Sequence, residues 1–203
     1  MKNFTNHIKS LNDGKIDYFI TDSSLSVYHG QINNSVILSG SFNPIHCGHI
    51  KLLDYCSDNF NKNKFYEISI SNVDKPNIDN KDLVSRLEKF QNEEKIIVTK
   101  SSKFLDKAIL FPNSYFIVGY DTALRILDES YLGINESLDN LFTVIKKKGC
   151  KFIVAGRTDV TGPKFDNLNL KNIHIKYRNL FQIIEEKNFR ADISSTEERR
   201  HNN

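Results

Sequence analysis

Ser39-Gly40-Ser41-Phe42-Asn43-Pro44-Ile45-His46-Cys47-Gly48-His49-Ile50 is the stretch on which the reading of this chain turns. It follows the apolar run Val36-Ile37-Leu38 and leads into Lys51-Leu52-Leu53-Asp54-Tyr55-Cys56, whose apolar spacing predicts a helix. A strand, a turn of small residues and then a helix is the order in which a chain aims bare backbone N–H groups at a phosphate. His46 falls in the turn and His49 on the first helical turn, an offset that lets two side chains share a face. Gly48, between them, removes a Cβ that would hold a phosphate away from the main chain.

Outward from that stretch, apolar runs alternate with helical spacing. Residues 65–70, 96–98, 115–118 and 152–155 read as strands. Residues 81–90, 104–110, 138–148 and a segment beginning at Thr122 read as helices. Ile173-His174-Ile175-Lys176 reads as a final strand. Apolar strands separated by helices predict an α/β fold, a Rossmann-like parallel sheet with helices on both faces. In such a sheet the strand C-termini lie along one edge, where a ligand crevice opens. Upstream, residues 1–34 read as a small N-terminal extension, a helix ending at Gly14 followed by two short strands around Thr21-Asp22-Ser23-Ser24. Residues 35–203 form the main domain in this reading.

A length of 203 residues suits one domain with a real core. A formal charge of +3 gives no reason to expect nucleic-acid binding and fits phosphorylated small molecules held by a local patch. The three cysteines, Cys47, Cys56 and Cys150, have neither metal-ligand spacing nor the look of a disulfide framework. No apolar run has the length of a membrane span, and the first residues lack the apolar core of a signal peptide. A cytoplasmic or nuclear protein is the expectation, with homo-oligomerisation left open.

Gly40-x-Phe42-x-Pro44-x-His46-x-Gly48-His49 resembles the first signature of the HIGH-type nucleotidyltransferases, and most closely that of nicotinamide or nicotinate mononucleotide adenylyltransferases. Ile193-Ser194-Ser195-Thr196-Glu197-Glu198-Arg199 is similar to the second family motif, ISSTxxR, and Gly119-Tyr120-Asp121 to a looser GxD motif. In detail the chain looks like the cytidylyltransferase-like relatives. The resemblance runs from about Val36 to Arg199 and does not reach the first 35 residues.

The resemblance implies attack by an acceptor on the α-phosphorus of a nucleoside triphosphate, with pyrophosphate leaving. Such a reaction is catalysed by alignment and by positive electrostatics. His46 and His49 are the expected catalytic residues, contacting ATP phosphates. Gly40, Ser41, Phe42 and Gly48 are expected to bind the nucleotide through the main chain and the helix N-terminus. Ser195, Thr196 and Arg199 are implied to hold the ATP phosphates, although a serine cap with downstream glutamates is also a helix start in its own right. Gly119 and Asp121 are placed at the ribose, Asp121 being equally suited to cap the helix that follows. Lys75, Arg86 and Arg157 are weaker candidates for the acceptor's phosphate. Mg²⁺ enters with ATP, and no protein metal site is expected. Lys146-Lys147-Lys148 before Gly149 reads as cations and a glycine finishing a helix.

The leading reading is transfer of AMP from ATP to nicotinamide or nicotinate mononucleotide, a step of NAD biosynthesis. The best-known eukaryotic relatives stack the nicotinamide ring on tryptophan, and this chain has none, so Phe42, Tyr120 and Tyr131 are the stacking candidates. A cytidylyltransferase or another adenylyltransferase on a different phosphorylated acceptor is the alternative within the class. A non-catalytic nucleotide-binding protein is the alternative outside it.

Overall fold

The apolar runs pair into one sheet in the computed structural model, which describes residues 2–71, 77–133, 136–158 and 165–190. In chain order the elements begin with α1 (Lys2–Asn12), β1 (Tyr18–Thr21), β2 (Val27–Tyr28), β3 (Ser35–Ser39), α2 (Cys47–Phe60) and β4 (Asn63–Ser69). They continue with α3 (Asn80–Leu87), β5 (Ile96–Thr99), α4 (Phe104–Leu110), β6 (Tyr115–Gly119), α5 (Tyr120–Leu127) and α6 (Leu138–Lys147). Last come β7 (Lys151–Ala155), β8 (Arg157–Thr158), β9 (Phe165–Asp166) and β10 (Phe181–Ile184), with 3₁₀ turns over Glu129–Tyr131, Leu170–Asn172 and Ile175–Leu180.

The eight strands stand in the order β10-β7-β6-β3-β4-β5-β1-β2. Every pair from β10 to β5 is parallel, and β1 runs antiparallel to both β5 and β2. Strand order therefore reverses between β3 and β6, the place where an open α/β sheet leaves a crevice at its carboxyl edge. Successive residues of each parallel strand go to opposite faces. Val36 and Leu38 pack with α1, α2 and α3 through Leu11, Leu53 and Leu83, whereas Ile37 packs with Ala108, Ala123 and Ile145 of α4, α5 and α6. Both faces are covered, as the near-continuous apolar strands require.

The N-terminal segment joins this sheet. Phe4, Ile8 and Leu11 of α1 are buried in the first face, and β1 pairs with β5 from Tyr18↔Thr99 to Thr21↔Ile96. At the end of α6, Gly149 has φ +67° and donates to Lys146 O, while Cys150 N donates to Ile145 O. That is a Schellman closure, which accounts for the Lys146-Lys147-Lys148-Gly149 run as a helix end.

Two expectations are corrected. Residues 173–176 do not form the last strand: Ile173 is buried but Ile175 is 74% exposed, and the backbone turns into a 3₁₀ segment capped by His174. The last strand is β10, whose Phe181 and Ile184 are buried as it pairs parallel with β7. The helix expected to begin at Thr122 starts at Tyr120, with Gly119 rather than Asp121 in the N-cap position.

Candidate active site

Ser39 ends β3, and Gly40 N donates to Glu67 O on the neighbouring β4, so the turn leaves the sheet tied to the adjacent strand. Phe42 then takes a positive φ of 42° and its ring is 1% exposed, packed edge-on against Tyr66, Phe90 and His49. A Cβ on Gly40 would stand 2.9 Å from the Phe42 ring, so glycine here answers to packing inside the turn itself. The burial corrects one expectation: the Phe42 ring serves the core and cannot stack on a ligand.

His46 is the N-cap of α2 and His49 its third residue. Their rings stack with centroids 3.7 Å apart and planes 25° from parallel. His46 N–H donates to His49 Nδ1 at 3.3 Å. With Nδ1 accepting, the neutral His49 ring carries its proton on Nε2, which makes it a donor without being charged. Burial, and then the adjacent His46, push the His49 pKa down to about 3. Two imidazoles this close disfavour double protonation.

Arg86 on α3 closes the other side of the turn. Its Nη1 donates to Ser41 O at 2.9 Å, while Nε and Nη2 grip the Asp82 carboxylate at 3.0 and 2.5 Å. The guanidinium holds Asp82 below the usual carboxylate range. Beyond the turn opens a cleft of about 840 Å³. Ser39, Gly40, Ser41 and Arg86 line it together with Lys103, Arg125, Tyr131 and Glu136. Lys103 pairs with Glu136 at 2.6 Å, and the Arg125 guanidinium lies 5.7 Å over the Tyr131 ring. Tyr131 is 40% exposed and lines the cleft, while Tyr120 is half-buried in the second face of the core.

Gly119 ends β6 and Asp121 lies in the first turn of α5, at the same carboxyl edge as the turn. Asp121 pairs with Arg157 at 2.6 Å, both half exposed, so the two expected contacts for ribose and acceptor meet each other. Such an exposed pair is worth about 0–1 kcal/mol and separates at little cost. Gly48 is buried in the first turn of α2. Lys75, Ser195, Thr196 and Arg199 lie outside the described residues. Arg190, the last residue described, follows Phe189, whose ring packs 6.0 Å from Tyr55 on α2. Among the described residues no three His, Cys, Asp or Glu side chains gather as a metal-holding group, and no helix is long and apolar enough to cross a membrane. The three cysteines are unpaired, Cys47 exposed and the others buried.

Two cleft residues were not legible from sequence. Glu67 and Lys107 form a buried ion pair at the cleft floor, 2.7 Å apart. In sequence each looks like the polar position of an amphipathic element. The available signal was a carboxylate inside a strand covered on both faces, which demands a buried cation.

A sequence model of the cytidylyltransferase-like family matches residues 37–201. The chain is also similar to a probable nicotinate-nucleotide adenylyltransferase of Fusobacterium nucleatum, with 32% identity over 164 residues, covering 72% of this chain and 81% of that protein.

Proposed function

Since this chain belongs to the cytidylyltransferase-like family and is a nucleotidyltransferase, we propose that it transfers AMP from ATP to nicotinate or nicotinamide mononucleotide, a step of NAD biosynthesis. The observation that carries the reading is the stacked His46–His49 pair on the N-terminus of α2, with the His49 tautomer set by His46 N–H. The acceptor's identity is supported by the similarity to the bacterial protein and by an aromatic residue, Tyr131, that lines the cleft beside the turn.

In this mechanism a phosphate oxygen of the acceptor attacks the α-phosphorus of ATP. The bond from that phosphorus to the β-bridging oxygen breaks, and pyrophosphate leaves with the electron pair. Negative charge builds on the phosphoryl oxygens, and donors fixed beforehand stabilise it without reorganising. His49 Nε2–H and His46 supply two such donors, and the first N–H groups of α2 supply others. Arriving triphosphate raises the His49 pKa and draws a proton onto the stacked pair. Arg86 holds the Ser41 carbonyl and so fixes the turn. The Mg²⁺ that ATP carries offsets triphosphate charge. Gly119 and Asp121 meet the ribose once Asp121 parts from Arg157, which then serves the acceptor phosphate, the role also proposed for Lys75. Ser195, Thr196 and Arg199 complete the triphosphate site.

The test is pyrophosphate release with ATP and, separately, CTP against nicotinate mononucleotide, nicotinamide mononucleotide, phosphopantetheine and alcohol phosphates. Turnover with ATP and a nicotinic mononucleotide, yielding a dinucleotide, is the expected result. Turnover only with CTP or only with another acceptor would replace the proposal. ATP binding without turnover on any acceptor would favour a binding protein.

A further inference from the structure

The cleft floor carries a pair of charges that the mechanism above leaves unused. The side chains of Glu67 on β4 and Lys107 on α4 are 1% and 6% exposed, with Lys107 Nζ 2.7 Å from Glu67 Oε2. The other carboxylate oxygen accepts from the Thr99 hydroxyl on β5 at 2.6 Å. On the opposite side, Lys107 Nζ stands 3.5 Å from Ser39 Oγ, at the last residue of β3. Glu67 also receives the Gly40 N–H on its main-chain oxygen, at 3.0 Å. One residue thus joins β4 to β5, to α4 and to the first peptide of the turn.

Fold stability gives little reason to keep such a pair. Burying two charges costs several kcal/mol per ion, and exchanging the pair for well-packed neutral side chains is often neutral or stabilising. Its orientation supplies a reason. Thr99 anchors the carboxylate on the β5 side, and the ammonium lies on the β3 side beside Ser39. The positive end is directed at the place where the turn leaves the sheet. In a dry floor a fixed dipole acts more strongly on a neighbouring anion than the same charges do in water.

Resting on the reading of the turn as a phosphate site, we propose that Lys107, pinned by Glu67, is a positioning residue for nucleotidyl transfer: it holds Ser39 in place and turns a buried positive charge towards the phosphates bound at Gly40 and Ser41. Anionic phosphate is the chemistry it serves, whichever nucleoside carries it.

The decisive variant is the double replacement Glu67→Gln/Lys107→Met, which removes both charges at nearly constant volume. Thermal unfolding, calorimetric binding of MgATP and steady-state turnover are measured beside the wild type. The expected result is an unfolding midpoint close to wild type, ATP affinity about tenfold weaker and kcat lower by about tenfold or more. Should the double variant not fold, Thr99→Val removes only the anchor of Glu67, and a loss of about threefold in ATP affinity is expected. Lys107→Arg keeps the charge and should restore affinity to within about threefold of wild type. Wild-type ATP affinity in the neutral double variant, or in Thr99→Val where that is the folded form, overturns the proposal. ATP binding by the wild type without turnover on any acceptor would count against the transfer reaction and leave the affinity comparison to decide whether Lys107 serves the bound phosphates. Failure of the wild type to bind ATP would remove the phosphate reading and this proposal with it.

Discussion

His49 is neutral in the unliganded protein because burial, and then the stacked His46, oppose its charge and push its pKa down to about 3. A histidine titrates near 6.5 in an unfolded chain, so between about 6.5 and 3 the unfolded state binds the extra proton. Its contribution to stability is present above pH 6.5 and is lost as pH falls through that window. Ring-proton NMR should find His49 still neutral at pH 5 without ligand and shifted upward by MgATP; ordinary titration near 6.5 in the free protein would refute the burial argument. His49→Ala should lower kcat by about a hundredfold or more, with the KM for ATP changed by less than about threefold. An equal loss in affinity would mean that the ring only binds. The histidine pair was legible because its spacing fixes a shared helical face. The fate of Phe42 was not, since an aromatic ring in a glycine-flanked turn looks exposed until a positive φ folds it beneath Gly40.

The turn and α2 act as one element. Gly40, the Phe42 ring and His49 touch in series, so backbone shape at the end of β3 sets the orientation of the His49 ring. Gly40→Ala should cost about 1–3 kcal/mol by overpacking the Phe42 ring, read by urea unfolding, and should lower kcat as well. Full stability with normal kcat would show that the ring gives way freely. Periodicity located β3 to β7 and the helices between them because each buries an apolar stripe. It failed at β10, where Phe181-Gln182-Ile183-Ile184 does not alternate, whereas the equally long Ile173-His174-Ile175-Lys176 has the apolar–polar alternation of a half-buried strand. Pairing with β7, a non-local contact, decided between the two.

At the scale of the molecule, the family match starts at residue 37, yet the sheet does not. β1 covers the β5 edge that the matched region would otherwise leave open, and α1 adds three buried apolar side chains to one face. Removing residues 1–34 should therefore expose a parallel-sheet edge and apolar surface, and the truncated chain should associate or unfold in light scattering and calorimetry. A monodisperse, equally stable truncation would mark the segment as a separate appendage. The proposed reaction is one event, direct passage of the nucleotidyl group at the carboxyl edge of the sheet, beside β3 and β6. ATP labelled at its α-phosphorus, incubated with a nicotinic mononucleotide, tests that event most directly. The expected result is label in a dinucleotide, unlabelled pyrophosphate released beside it, and both lost in the His46→Ala/His49→Ala variant. Label retained in ADP, or bound to the protein, would contradict it.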